Sequence, residues 1–555
     1  MRKEREIMKG LNEALETSIR RNWNLPALSD FKGETMSYGH VARRIVEMHL
    51  VFAAIGLKPG EKVALCAKNS AAWATAFLGA LTYGAVVVPL LHEFHPDTVE
   101  ALVAHSEARL LFSEKGIYDK LDAENMPGVD GVVLIPDFTV ALSRKHKLTA
   151  AIDGLKDTFL KAYGKKFAPA QVEFARREPC ELALVNYTSG STGNPKGVMV
   201  TFGNLWSNIS FALSKIPFLK PGDGMLSMLP LAHMYGLVFE FLFPFCRGCH
   251  ITFLGRIPSP AVVLQAFAQV RPQLVITVPL VIEKIVKGQV FPKLHKPWMR
   301  VLRAIPGIRQ LINMGVRKKL LEAFGGNLKQ LILGGAAVSK DVERFLRSVK
   351  FPFTVGYGMT ECAPLVTYEW WKNQRPHSCG RLVDGMEAMV LSADPMRVPG
   401  VLYVKGDNVM KGYYKNEAAT VSALDDDGWL NTGDICTIDN DGYVYLRGRD
   451  KNMILTSSGQ NVYPEEIESL LNNMPLVGES VVLDRGGRIV ALVHPDYETG
   501  EKQGIDRAET ERRLGAMLPE LNKALPGYSQ VSAIEIRDDE FEKTPKQSIR
   551  RFLYK

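Results

Sequence analysis

Tyr187-Thr188-Ser189-Gly190-Ser191-Thr192-Gly193-Asn194-Pro195-Lys196-Gly197 stands at the end of an apolar run, Ala183–Ser189, that reads as a strand. A helix is expected to open just after it, at Thr201-Phe202-Gly203-Asn204. Four Ser/Thr hydroxyls, three glycines and one lysine share these eleven positions. Glycine lets backbone N–H groups approach a ligand closely, and the hydroxyls add donors. Lys196 adds a point charge suited to polyphosphate oxygens. A Ser/Thr/Gly surface linker has the same composition, but a linker does not usually join an apolar strand to a helix. The GxxxxGK[ST] phosphate loop is excluded, because no Gly-Lys-Ser/Thr ending is present.

Outward from this loop, short apolar runs alternate with helical patterns. Lys62–Ala67, Ala85–Leu91 and Arg109–Ser113 read as strands, with helices over Ser70–Tyr83 and His95–Ala108. Further strands are expected at Met225–Pro230, Ile251–Leu254, Leu274–Pro279, Gln330–Leu333 and Phe353–Gly356. That alternation implies parallel sheets covered on both faces, with ligands beyond the carboxyl ends of the strands. From Gly385 to Arg447 the chain turns to short Val-, Tyr- and Gly-rich strands, which suggests a β subdomain. After Arg449 a compact α/β segment follows. A helix begins at Tyr463-Pro464-Glu465-Glu466, a hairpin surrounds Asp484-Arg485-Gly486-Gly487, and another helix spans Ala508–Ala524. Ala141–Lys166 is charged and weakly patterned, and reads as a surface excursion. The fold class is therefore α/β: a large N-terminal domain of two α/β subdomains plus a β subdomain, then a small, mobile C-terminal α/β domain. The boundary is placed between 448 and 449, giving domains 1–448 and 449–555.

The bulk numbers agree. The chain has 555 residues, too many for one ordinary core. Its 46% hydrophobic and 23% charged residues are ordinary globular composition. A net charge of +8 is mild for this length and does not call for nucleic acid, so no nucleic-acid partner is expected. Seven cysteines with a single CxxC, Cys246 and Cys249, read as buried thiols in a reducing compartment. Ile7, Leu11, Leu15 and Ile19 mark an amphipathic N-terminal helix, not a signal peptide. No apolar stretch is long enough to span a bilayer. A cytoplasmic location is expected, with peripheral contact at the inner face of the membrane as an option.

Three more stretches follow the first in order: Gly356-Tyr357-Gly358-Met359-Thr360-Glu361, Thr432-Gly433-Asp434, and Tyr445-Leu446-Arg447-Gly448-Arg449-Asp450-Lys451-Asn452-Met453-Ile454. Together the four resemble the ordered motifs of the adenylate-forming superfamily: acyl-CoA synthetases, luciferases and peptide-synthetase adenylation domains. Thr277-Val278-Pro279-Leu280-Val281-Ile282-Glu283-Lys284 and the short hairpin near Asp484–Val493 resemble the bacterial long-chain fatty acyl-CoA synthetases. The chain before residue 187 carries no matching motif.

The resemblance implies ATP-dependent activation of a carboxylic acid to acyl-AMP, then thioester formation with coenzyme A. An ionised carboxylate must attack an anionic phosphate, so charge has to be neutralised and the attack aligned. By this resemblance Thr188, Ser189, Gly190, Ser191, Thr192, Gly193 and Lys196 cradle the phosphates. Thr360 contacts the α-phosphate, and Glu361 holds Mg²⁺ with Thr188 as a second candidate. Tyr357 and Gly358 lie along adenine, with Gly334, Gly335 and Ala336 covering its other face, while Asp434 and Arg449 meet the ribose. Lys451 is the hinge, and Gly459, Gln460 and Asn461 line the pantetheine path. Pro230-Leu231-Ala232-His233-Met234-Tyr235-Gly236 resembles an acyl-pocket motif, in which His233 gates the pocket or simply packs.

The tail departs from the family. A lysine is expected three residues after Thr544-Pro545, and that position is Ser548. Lys546 is the candidate substitute, with Lys543 second to it, and a slow or specialised enzyme is the competing reading. Between Glu283 and Glu322 there is no acidic residue, while Lys284, Lys287, Arg300, Arg303 and others surround Trp298. This stretch fits an anionic lipid surface and fits a solvated basic face equally well. Two alternatives to the synthetase remain: an enzyme that loads a phosphopantetheine carrier protein, and a catalytically impaired acyl- or nucleotide-binding homologue.

Overall fold

The computed structural model describes residues 10–188, 195–256, 259–456, 460–543 and 549–554. Ser189, Gly190, Ser191, Thr192, Gly193, Gly459, Lys546 and Ser548 lie outside the described residues, as does Ile7.

The expected strand–helix alternation is present. An eight-stranded sheet runs in the order Gly412–Tyr413, Lys196–Thr201, Leu182–Thr188, Val86–Leu90, Lys62–Cys66, Ala108–Ser113, Gly131–Leu134, Thr139–Ser143. Its inner strands are parallel and its edges antiparallel. The inner strands are apolar because helices cover both faces. Ala71–Tyr83, between two of them, is buried along nearly its whole length, including Trp73, Phe77 and Leu78. Each such large side chain contributes about 1.5–3 kcal/mol on burial. Ser70 starts this helix by accepting a hydrogen bond from the backbone N–H of Trp73 at 3.0 Å.

A second sheet joins Gly224–Ser227, His250–Phe253, Pro26–Asp30 and Thr35–Ser37. A third, all parallel, holds Leu274–Thr277, Gln330–Leu333 and Phe353–Val355. The β subdomain is an antiparallel sheet of Met386–Leu391, Gly400–Gly406, Leu430–Ile438 and Val444–Arg449. The C-terminal segment has its own core, with Ile467, Leu471, Val482, Ala491, Val493 and Leu514 packed together. Its hairpin, Val477–Arg485 with Arg488–Pro495, falls where the turn residues place it.

Three expectations are corrected. The phosphate-loop stretch does not lead straight into a helix. Lys196–Thr201 forms a strand antiparallel to Leu182–Thr188, so a hairpin strand comes before the helix. The alternation Val198, Val200 buried and Met199 half-buried is a strand pattern. The helix itself opens where expected, at Phe202, with Thr201 and Asn204 capping each other reciprocally. Residues 141–166 are not a bare excursion. A strand, Thr139–Ser143, closes the sheet edge, and helices Lys147–Asp153 and Leu155–Tyr163 follow, burying Leu148 and Phe159. Finally, the helix expected over Ala508–Ala524 is two, Arg507–Gly515 and Leu518–Lys523. Pro519, which has no N–H to donate, sits at the start of the second.

Candidate active site

The carboxyl ends of the strands and the β subdomain meet around two carboxylates, Asp434 and Glu361. Asp434 lies in strand Leu430–Ile438 and pairs across it with Arg449 in Val444–Arg449. This register places Arg449 Nε at 2.7 Å from Asp434 Oδ1. The other oxygen, Oδ2, accepts the hydroxyl of Tyr357 at 2.5 Å. Arg449 also donates to the carbonyl of Thr432 at 3.3 Å. Burial pushes the Asp434 carboxyl above its ordinary range, while Arg449 and the Tyr357 hydroxyl pull it back down. The Tyr357 phenol is raised well above its usual value by burial and by the Asp434 charge, so it stays a donor.

Glu361 sits in the short turn Thr360–Cys362, and its Oε1 accepts the hydroxyl of Tyr413 at 2.9 Å. Lys196 Nζ lies 4.9 Å from the centroid of the same Tyr413 ring. Tyr413 thus joins the acidic motif to the basic end of the phosphate hairpin. Burial and the Glu361 charge raise its phenol pKa, which keeps the donor proton in place. Thr188 faces Lys196 across the hairpin, with its hydroxyl 3.5 Å from the Lys196 carbonyl.

The turn bearing Glu361 is held from below. Asn208 donates to the carbonyl of Cys362 at 3.1 Å and accepts from the N–H of Leu365 at 3.0 Å. Asn204 donates to the carbonyls of Asp407 and Val409, and the N–H of Met410 reaches the Glu361 carbonyl at 2.8 Å. A Cβ at position 358 would stand 2.1 Å from the Pro364 carbonyl oxygen, so only glycine fits there.

Gly334 follows strand Gln330–Leu333, and its N–H bonds the Thr277 carbonyl at 3.1 Å. A Cβ there would meet the Tyr235 ring at 2.9 Å. Gly334 therefore packs directly on the Pro230–Gly236 motif, with Gly335 and Ala336 exposed beyond it. That motif is anchored by Asn186, which donates to the Ala232 carbonyl at 2.8 Å, and by Asn69, which holds both Leu229 and Leu231. His233 is half-buried at the start of a helix that continues as a π-helix over Leu237–Leu242. Glu240, fully buried in that π-helix, accepts at Oε2 from Ser227 Oγ and from the N–H groups of Met228 and Leu229. Burial pushes its carboxyl up to about 8.

The remaining site residues lie further along the C-terminal segment. Lys451 is exposed in the turn Asp450–Asn452, and Gln460 and Asn461 are exposed beside the strand pair Ile454–Leu455 and Asn461–Val462. Four residues of the arrangement carry no sequence signal of their own: Tyr413, Asn208, Glu240 and Asn69. Their partners lie 52, 154, 13 and 160 positions away, and no local spacing reports that.

Among the described residues no group of three or more His, Cys, Asp or Glu side chains could cage a metal ion. One carboxylate beside a hydroxyl- and lysine-bearing hairpin is instead the donor set that suits Mg²⁺ carried in with phosphate oxygens and water.

The geometry is that of an α/β enzyme with its charged groups gathered where a large domain meets a β subdomain. Residues 15–414 match the AMP-binding enzyme model and residues 451–554 match the AMP-binding enzyme C-terminal domain, and the chain belongs to this family. It is 29% identical over 484 residues to the long-chain-fatty-acid–CoA ligase FadD15 of Mycobacterium bovis, covering 83% of this chain and 77% of that protein. It is 26% identical to the chloroplastic long-chain-fatty-acid–[acyl-carrier-protein] ligase AEE15 of Arabidopsis thaliana, covering 93% of this chain and 80% of that one. Among solved structures, ATP-bound MatB from Rhodopseudomonas palustris superposes with a TM-score of 0.76 at 25% identity, covering 98% of both chains.

Proposed function

We propose that this protein is an AMP-forming acid–thiol ligase, which activates a long-chain fatty acid with ATP and passes the acyl group to coenzyme A. The observation that carries this reading is the convergence of Tyr357, Asp434 and Arg449 with Glu361, Tyr413 and Lys196. The similarity to long-chain-fatty-acid–CoA ligases over most of the chain supports the substrate class.

In this reading Lys196 holds the triphosphate together with Thr188, Ser189, Gly190, Ser191, Thr192 and Gly193. Glu361, with Thr188 as a second candidate, would bind Mg²⁺, which lowers the charge on the phosphate oxygens. Thr360 meets the α-phosphate. Tyr357 and Gly358 line adenine with Gly334, Gly335 and Ala336 opposite, and Asp434 and Arg449 meet the ribose hydroxyls. The acid enters beside His233. Electrostatic stabilisation of this kind supplies much of the acceleration in reactions that develop charge. Lys546 completes the site in place of the lysine absent at position 548.

The chain divides into domains 1–448 and 449–555. Rotation about Lys451 brings Gly459, Gln460 and Asn461 to the pantetheine path for the second step, since each step needs its own enclosure. No helix among the described residues is long and apolar enough to cross a membrane. A cytoplasmic enzyme with peripheral contact at the inner membrane face fits, with Trp298 57% exposed on its basic segment.

The test is acid-dependent release of AMP and pyrophosphate across a fatty-acid series, with and without coenzyme A. Thioester formation from long-chain acids is the expected result, and no AMP with any acid would overturn the reading. The likeness to an acyl-carrier-protein ligase favours a second acceptor. Acyl transfer to a phosphopantetheine carrier in the absence of coenzyme A would select that version.

A further inference from the structure

The strands that lead to the candidate active site border an open cavity at their opposite ends. It measures about 540 Å³, within the roughly 300–1,000 Å³ common for small-molecule sites. Lys329 and Pro352 line it, each one residue ahead of a strand, Gln330–Leu333 and Phe353–Val355, whose far end leads to Gly334 or Gly356. Lys215 lines it too, at the end of helix Phe202–Lys215, which starts beside the phosphate hairpin. At 1.5 Å per residue that helix is ~20 Å long, so the two sites stand about that far apart.

The floor of the cavity is aromatic. Phe218 and Trp370 have ring centroids 5.7 Å apart, and Trp370 and Trp371 6.3 Å apart. Four cations, and no acidic residue, line it. Lys215 is committed to Asp384 at 2.9 Å. Arg317, Lys329 and Lys372 make no ion pair among the described residues. Lys329 Nζ is held 5.6 Å from the Phe218 ring centroid and Lys372 Nζ 5.7 Å from that of Trp371. Arg317 lines the cavity as a half-buried guanidinium. Three like charges around an apolar floor repel one another, and an anion with a hydrocarbon body answers both features.

We propose that this cavity is a second ligand site, for an amphipathic anion: a carboxylate or phosphate head on an acyl body. The head meets Arg317, Lys329 and Lys372, and the chain lies on Phe218, Trp370 and Trp371. The choice of a fatty carboxylate as probe rests on the reading of the active site given above, whereas the ring-and-cation geometry is independent of it.

The test is titration of the full-length protein with dibromostearate, whose bromines quench nearby indoles. A saturable quenching component is expected, absent in Trp370→Phe/Trp371→Phe and at least tenfold weaker in Lys329→Glu/Lys372→Glu. Circular dichroism melting confirms folding, and Lys329→Gln/Lys372→Gln serves if charge reversal prevents it. Stearate and octadecyl phosphate compete, the stronger identifying the head group, and stearyl alcohol does not. Equal quenching in the charge-reversed protein, or equal competition by the alcohol, overturns the proposal. Should the active site prove not to use fatty acids, AMP release is silent while the Trp370/Trp371 component persists, so the two failures are separable.

Discussion

The Tyr357 hydroxyl and the Arg449 guanidinium hold the two oxygens of a single buried carboxylate, Asp434, at 2.5 and 2.7 Å. The three residues come from different motifs, 77 and 15 positions from Asp434. The carboxylate is thereby fixed in orientation before any ligand arrives. Its burial alone would favour the neutral form, and the two donors work against that.

Removing one donor should therefore weaken nucleotide binding more than chemistry. A hydrogen bond to a charged group contributes about 1.5–3 kcal/mol, a factor of roughly 10 to 100. Tyr357→Phe is expected to raise the KM for ATP within that range while kcat changes less. Steady-state AMP release against ATP concentration is the measurement. An unchanged KM would mean that the Asp434 orientation is set by Arg449 alone.

Glu361 and Tyr413 should separate clearly. If Glu361 brings the metal, Glu361→Gln removes a charged ligand and is expected to lower kcat at least 100-fold at every Mg²⁺ concentration. Tyr413 only orients that carboxylate and stacks under Lys196, so Tyr413→Phe should cost about tenfold or less. Part of its loss should be recovered by raising Mg²⁺. Equal losses in the two variants would assign Tyr413 a direct contact with the reacting groups.

How much of this could be read from the chain follows from what each feature depends on. The parallel strands were legible because burial on both faces makes them continuous apolar runs, as at Val86–Leu90. Asp434, Glu361 and Lys196 were legible through motifs, whose residues stay together along the chain. The strand Lys196–Thr201 was missed because Lys196 and Gly197 were counted with the phosphate loop and Thr201 with the helix start, which left only Val198, Met199 and Val200 between them. Tyr413 was invisible for a different reason. Its role is created by pairing of Gly412–Tyr413 with Met199 and Val198, more than 200 positions earlier, and only the folded sheet makes that neighbour.

Glu240 gives a pH signature in stability. Its carboxyl is raised from 4.5 to about 8 by burial, against the pull of Ser227 and the Met228 and Leu229 N–H groups. A carboxyl raised on folding holds its proton in the native state while the unfolded chain has released it. Its contribution is thus fully present below about 4.5 and is lost as pH rises through about 8. The slope in this window is at most about 1.4 kcal/mol per pH unit. Glu240→Gln keeps an acceptor for the two backbone N–H groups and cannot ionise. Its melting temperature should fall less than that of the natural protein between pH 5 and 8. Parallel curves for the two proteins would show that Glu240 is already ionised in the fold.

Lys546 is the sharpest test of the catalytic assignment, because it follows from a departure in sequence. Ser548 cannot supply a cation between the carboxylate and the α-phosphate, and Lys546 is two positions away. Both lie outside the described residues, so the argument is chemical. Two anions approaching within about 4 Å repel by several kcal/mol at a surface-like dielectric, and loss of the neutralising cation should slow adenylation by roughly 100-fold or more. Lys546→Ala is expected to show this in acid-dependent pyrophosphate exchange. Transfer from supplied acyl-AMP to coenzyme A should survive, because that step no longer joins a carboxylate to ATP. If Lys546→Ala exchanges pyrophosphate at the natural rate, the cation comes from another residue. No gain of rate in Ser548→Lys would then agree with that second cation, whereas a gain would show instead that the site had been working without one.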